Sequence, residues 1–177
     1  LDCRPAPAMS PQHPGRTQEL APGDTLDGKY RIERVLGAGG MGVVLEATNL
    51  KLGQHVAIKL LREAGARDPE TRARFEREAQ VVSGLTSEHV VRVFDLGQTA
   101  QGDPYIVMEL LRGEDLAAAS GRGPVAIAKA IDWILEACLG VATAHAAGLV
   151  HRDLKPANLF LAKRPDGSSA VKVLDFG

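Results

Sequence analysis

The sequence predicts an α+β chain in which a small β-rich lobe precedes a helical one. Three observations carry this reading. Short alternating or apolar runs separated by glycine turns fill the stretch from Tyr30 to Leu110. One helical period interrupts them between Asp68 and Gly84. Beyond Gly113 the pattern turns helical, and its longest apolar-periodic run is opened by Pro124 and ends at Gly148.

Residues 1–23 hold five of the ten prolines and few large apolar groups. They cannot bury enough surface to offset the entropy of ordering, so a disordered leader is expected. Tyr30 to Leu36 alternates apolar and polar, a glycine cluster follows, and Val43 to Ala47 and His55 to Leu60 complete three strands, with Gly53 as a turn. Asp68 and Pro69 have the character of a helix N-cap and first helical position, followed by Phe75, Ala79, Val82 and Leu85 at helical spacing. His89 to Leu96 and Tyr105 to Leu110 add two strands, for five strands and one helix in this half. After the join at Glu109 to Gly113 come a short helix near Asp115 to Ser120 and a long run through Ile127, Ile131, Ile134, Leu135, Cys138, Leu139 and Ala142. The long run reads as a buried helix, with Trp133 and Cys138 in its core and His145 a satisfied histidine at its end.

Composition excludes several function classes. The chain has 177 residues, 45% hydrophobic and 24% charged, the balance of a soluble globular domain. Its 21 basic and 22 acidic residues give a net charge of −1, so no global field draws it to nucleic acid or an anionic membrane. Cys3 and Cys138 lie too far apart in sequence for a disulfide framework or a zinc site, and a reducing, cytoplasmic setting is expected. Asp132, Glu136 and His145 break the most apolar stretch, so no membrane contact is expected within this chain. The opening lacks the basic and apolar regions of a signal peptide.

Four constellations carry chemistry. Gly37, Gly39 and Gly42 form a GxGxxG pattern, in which backbone N–H groups can approach phosphate oxygens. A dinucleotide fold would need a helix directly after it, but Val43, Val44 and Leu45 continue as a strand, which rejects an oxidoreductase. Lys59 ends the strand Val56-Ala57-Ile58-Lys59, and strand alternation aims it to the same face as Ala57. Glu78 on the following helix is its candidate partner. His151 to Asn158 concentrates a carboxylate, two cations and a carboxamide in one loop. Asp153 could accept a hydroxyl proton, Lys155 could neutralise a phosphoryl group, and Asn158 could offer oxygen to a hard divalent metal. The strand Val171 to Leu174 then delivers Asp175, a second oxygen ligand, in Asp175-Phe176-Gly177.

In this order the four motifs resemble a protein kinase, over roughly Tyr30 to Gly177. The resemblance implies a two-lobe fold: a five-stranded antiparallel sheet with one helix and a hinge over residues 24–111, then an incomplete helical lobe over residues 112–177. It implies ATP and Mg2+ as cofactors. Lys59 would bind phosphates and pair with Glu78, Asp153 would be the catalytic base, Asn158 and Asp175 would hold magnesium, and Gly37, Gly39 and Gly42 would cover the phosphates. By the same resemblance Met108 is the gatekeeper, and the backbone of Glu109 to Leu111 would bond adenine. Leu36, Val44, Ala57 and Phe160 would sandwich the base, and Asp115 would touch ribose. Lys155 is similar to the serine/threonine branch, so Ser and Thr hydroxyls of proteins are the expected acceptors. The motifs around Gly39 to Val44, Arg77 to Ala79 and Tyr105 to Glu109 resemble bacterial, eukaryotic-like kinases. Arg152 would dock a phosphorylated activation loop.

Family elements beyond Asp-Phe-Gly do not occur in these residues, so the sequence reads as a truncated kinase domain. The expected consequences are an exposed apolar face on the long helix and little phosphotransfer by the fragment alone. The alternative is a non-catalytic nucleotide-binding or regulatory module like a pseudokinase. Such modules typically lose the equivalents of Lys59, Asp153 or Asp175, all present here.

Overall fold

The computed structural model describes residues 20–39, 42–61 and 63–176. Most of the expected leader therefore lies outside the described residues. The first lobe is built on β1 (Thr25–Leu26), β2 (Tyr30–Gly39), β3 (Gly42–Asn49), β4 (His55–Leu61), β5 (Val93–Gln98) and β6 (Pro104–Glu109). They form one antiparallel sheet in the order β1-β2-β3-β4-β6-β5. One face buries Ile32, Leu45, Ala47, Val56, Ile58, Leu60, Tyr105 and Val107 in a single cluster. Register shifts after Ile32 and Val35 end that alternation, and β2 is exposed from Arg34 to Gly39.

Between β4 and β5 run α1 (Glu63–Ala66) and α2 (Pro69–Ser83). The α2 start follows the sequence expectation, because Asp68 is the N-cap, accepts the Thr71 N–H at 3.0 Å and is followed by Pro69. Phe75 and Ala79 pack against Leu61 and Ile106, which fixes α2 to the sheet.

The second lobe contains β7 (Gly113–Asp115), α3 (Leu116–Gly121), α4 (Ile127–Ala146), β8 (Leu159–Lys163) and β9 (Ser169–Val173). Its three strands form a second sheet in the order β7-β8-β9. Val90, Leu116, Ala137, Ala144, Leu159, Val171, Val173 and Phe176 share its core.

Several expectations need correction. The first sheet has six strands because Thr25–Leu26 pairs with the start of β2, and α1 is a second helix in this half. β5 begins at Val93, not His89. His89 ends a turn and Val90 forms a lone parallel bridge, but with β9: Val173 N–H donates to His89 O at 2.8 Å and Val91 N–H to Val173 O at 3.2 Å. The β pattern there is real, and it serves the second lobe.

The long helix has two apolar faces. The face packed on β9 is small, with Ala137, Gly140 and Ala144 buried. A Cβ on Gly140 would lie 2.4 Å from His89 O, so glycine is what permits this approach. The large-residue face of Ile127, Ile131, Ile134, Leu135 and Leu139 is exposed. Cys138 is also exposed rather than core, as is His145, while Trp133 packs partly against the second core with Lys129 over its ring. No helix among the described residues is long and apolar enough to cross a membrane.

Candidate active site

The loop after α4 and the end of β9 are joined through one residue. Leu174 donates its N–H to Asn158 O at 2.9 Å, and its carbonyl lies 2.9 Å from His151 Nε2. His151 is buried and its ring meets that of Phe176 at a centroid distance of 4.9 Å. These contacts seat Asp175 beside the loop that carries Asp153 and Asn158. Arg152 and Asp175 both have positive φ, 63° and 53°, a conformation that costs a non-glycine residue energy and recurs at functional sites.

Asp153 is exposed, and Lys155 Nζ sits 2.7 Å from its Oδ2. The Asn158 amide donates to Asp153 O at 2.8 Å and to Oδ2 at 3.2 Å. The Lys155 hydrogen bond, then its charge and the Asn158 bond, hold the Asp153 carboxyl below the usual aspartate range. Both nitrogen bonds leave Asn158 Oδ1 without a hydrogen-bond partner among the described residues.

Lys59 lies on β4, with Ala57 buried two residues before it and Val44 opposite it on β3. Its ammonium is 2.7 Å from Asp175 Oδ1. This corrects the expected pairing with Glu78. Glu78 is half-buried on α2 with no ion-pair partner among the described residues. Burial pushes its carboxyl up, against weaker opposing fields from Arg74, Lys59 and Arg152. The ammonium has gone to the strand end, where the Leu174 bonds deliver a carboxylate within reach.

The glycines lie in the β2–β3 hairpin, with Gly39 paired to Gly42, as the sequence predicts. Their reasons differ. A Cβ at Gly37 or Gly39 would meet nothing within 4 Å, whereas one at Gly42 would lie 2.2 Å from Leu60 O. Close approach of β4 therefore accounts for Gly42 without any ligand.

The structure divides the remaining expected nucleotide contacts. Leu36 is exposed, Val44, Met108, Leu111 and Phe160 are half-buried, and Phe160 faces Asp115 in the β7–β8 register. Met108 packs partly against the α2 cluster. Asp115 is the N-cap of α3 and accepts the Ala118 N–H at 2.8 Å, which gives it a local reason independent of ribose. At the hinge, the Glu109 N–H is taken by Arg92 O at 2.9 Å, so the expected adenine contact cannot use that donor. Lys172, which the sequence reading passed over, binds the Glu109 carboxylate at 2.7 Å. A lysine between the buried valines 171 and 173 was the available signal.

The protein kinase domain model matches residues 30–177. The chain belongs to the protein kinase family. It is 39% identical over 156 residues to serine/threonine-protein kinase pkn3 of Myxococcus xanthus, covering 88% of this chain and 28% of that protein. It is 42% identical over 156 residues to serine/threonine-protein kinase PknB of Mycolicibacterium smegmatis, covering 86% and 24%. A double mutant of the Mycobacterium tuberculosis PknI kinase domain superposes with a TM-score of 0.77 at 32% identity, covering 90% of this chain and 62% of that one. This kinase chain thus spans about a quarter of the length of these curated relatives. The fold expected from the motifs, a kinase-like α+β arrangement, agrees with the PknI likeness.

Proposed function

We propose that this chain is the nucleotide-binding part of a serine/threonine protein kinase that transfers the γ-phosphate of ATP to Ser and Thr hydroxyls of protein substrates. One observation carries the reading: the Leu174 bonds bring Asp175, held by Lys59, beside the loop of Asp153 and Asn158. The relatives' names support the acceptor class. In this reading residues 24–111 form the small lobe and hinge, residues 112–177 begin the large lobe, and Gly37 and Gly39 cover phosphates.

The donor set fits magnesium. Asn158 Oδ1 and the half-exposed Asp175 carboxylate are hard oxygen donors, and no cluster of three His, Cys, Asp or Glu side chains suited to a metal occurs among the described residues. Magnesium suits such a sparse set because it takes one or two protein oxygens and completes its octahedron from phosphate and water. When bound it would neutralise charge on the phosphates. The chain's own residues do the rest. Lys59 supplies a cation to the phosphates, and Lys155 supplies another near the transferred group. Asp153, kept ionised by Lys155, orients the acceptor hydroxyl and takes its proton.

Titration calorimetry with MgATP tests this. Binding by the chain, lost in Lys59→Met and Asp175→Ala, is the expected result. Binding that survives both substitutions would place the nucleotide elsewhere. In a phosphotransfer assay on the longer protein, loss of transfer in Asp153→Asn with retained MgATP binding separates the kinase from a module that only binds nucleotide.

A further inference from the structure

Behind the proposed adenine-binding hinge lies an ion pair that the proposed chemistry does not use. Lys172 Nζ is 2.7 Å from Glu109 Oε1, and both side chains are largely buried, at 16% and 25% exposure. The same Oε1 accepts the Arg92 N–H at 2.8 Å, while the Glu109 N–H donates to Arg92 O at 2.9 Å. Lys172 also reaches Val90 O at 3.4 Å. Three segments meet here: the end of β6 at the hinge, the His89 to Val93 linker entering β5, and β9.

The placement has a mechanical consequence. Lys172 is three residues before Asp175, on the strand whose end is fixed to the loop by Leu174. Glu109 is the last residue of β6, where the chain leaves the first sheet for the second lobe. The pair therefore ties the hinge to the strand that carries the proposed metal ligand. A largely buried carboxylate with one cation and one N–H has strong, directional bonds and little water to replace them.

We propose that Lys172 is a positioning residue: through Glu109 it holds the hinge backbone in fixed register with β9. Resting on the kinase reading, it thereby sets the adenine contacts relative to Asp175. Lys172→Met removes the charge while keeping the stem. Hydrogen exchange at the Arg92 and Glu109 amides reads the clamp without nucleotide, and calorimetry with MgATP reads its consequence.

The expected result is about tenfold faster exchange at Arg92 in Lys172→Met, the scale of losing one charge-assisted hydrogen bond, with exchange in the β3–β4 ladder unchanged. Lys172→Arg restores protection, and Glu109→Gln reproduces the loss in milder form. MgATP affinity falls in Lys172→Met and returns in Lys172→Arg. Wild-type exchange rates at Arg92 and Glu109 in Lys172→Met overturn the clamp, and faster exchange with unaltered MgATP affinity overturns its role in setting the adenine contacts. A wild-type chain that binds no MgATP sinks the nucleotide reading instead, and the exchange result still decides the clamp.

Discussion

Lys59 Nζ lies 2.7 Å from Asp175 Oδ1, so the proposed phosphate-binding cation and the proposed metal ligand neutralise one another in this structure. Glu78, on the neighbouring helix, is left without an ion-pair partner among the described residues. The arrangement predicts opposite effects of one substitution on folding and on nucleotide binding.

Burial raises the Glu78 carboxyl above its ordinary value of 4.5. A group with a raised folded pKa contributes stability below its unfolded pKa, and that contribution is lost as pH rises through the folded value. Glu78→Gln removes the penalty. The variant should melt at the same or a higher temperature than wild type at pH 7, and its advantage should shrink as pH falls towards 4.5. If MgATP takes Asp175 away from Lys59, the ammonium is left in need of a partner, and the same variant should then bind MgATP more weakly. A lower melting temperature at pH 7 in Glu78→Gln would mean that the carboxylate is already paired in the nucleotide-free chain.

The glycine loop separates fold from ligand. Gly42→Ala forces a Cβ into a space 2.2 Å from Leu60 O, where backbone must move, and overpacking of this kind costs about 1–3 kcal/mol. Gly37→Ala and Gly39→Ala meet no atom within 4 Å and should leave urea denaturation almost unchanged. If these two glycines cover phosphates, their variants should still lower MgATP affinity. Equal destabilisation in all three would show that the loop backbone, not the β3–β4 approach, sets the requirement.

Local chemistry made most of this architecture legible. Asp68 and Pro69 announced α2 because capping needs only neighbours in sequence, and the Asp153 and Asn158 loop stood out because its charge density has few structural explanations. What escaped was pairing at a distance. His89 to Val91 has strand character, but only tertiary structure could assign it to β9 instead of β5. Sequence order pointed Lys59 to Glu78 on the following helix, whereas its ammonium pairs with Asp175, 116 residues on, and Glu78 feels only its field. The apolar run of α4 shows that a helix has two faces, not which one meets the core: Gly140 and Ala144 do, because small residues let the helix approach His89 and Val173.

The pair Lys155–Asp153 predicts a titration. The Lys155 hydrogen bond holds the Asp153 carboxyl below its ordinary 3.8, so the carboxylate is present throughout the neutral range. A depressed folded pKa contributes stability above the unfolded value that is lost as pH falls through the folded one. Carbon-detected NMR of the side-chain carboxyl should give a midpoint below 3.8 in wild type and a higher one in Lys155→Ala. An unmoved midpoint would assign the shift to the Asn158 amide, the remaining donor to Oδ2.

The exposed face of α4 predicts association. Ile127 is 79% exposed, and Ile131, Ile134, Leu135 and Leu139 are each more than half exposed, a contiguous apolar stripe on one helix. Stripes of this kind either meet a partner or drive non-specific association. The chain should therefore show a concentration-dependent mass by light scattering and bind a hydrophobic dye. Ile131→Glu and Leu135→Glu place charge on the stripe without touching Ala137, Gly140 or Ala144, which hold the helix to β9. The double variant should lower both signals and leave the melting temperature near that of wild type. A large loss of thermal stability would instead show that the stripe is buried in solution, and that the packing of α4 on β9 is not the whole of its support.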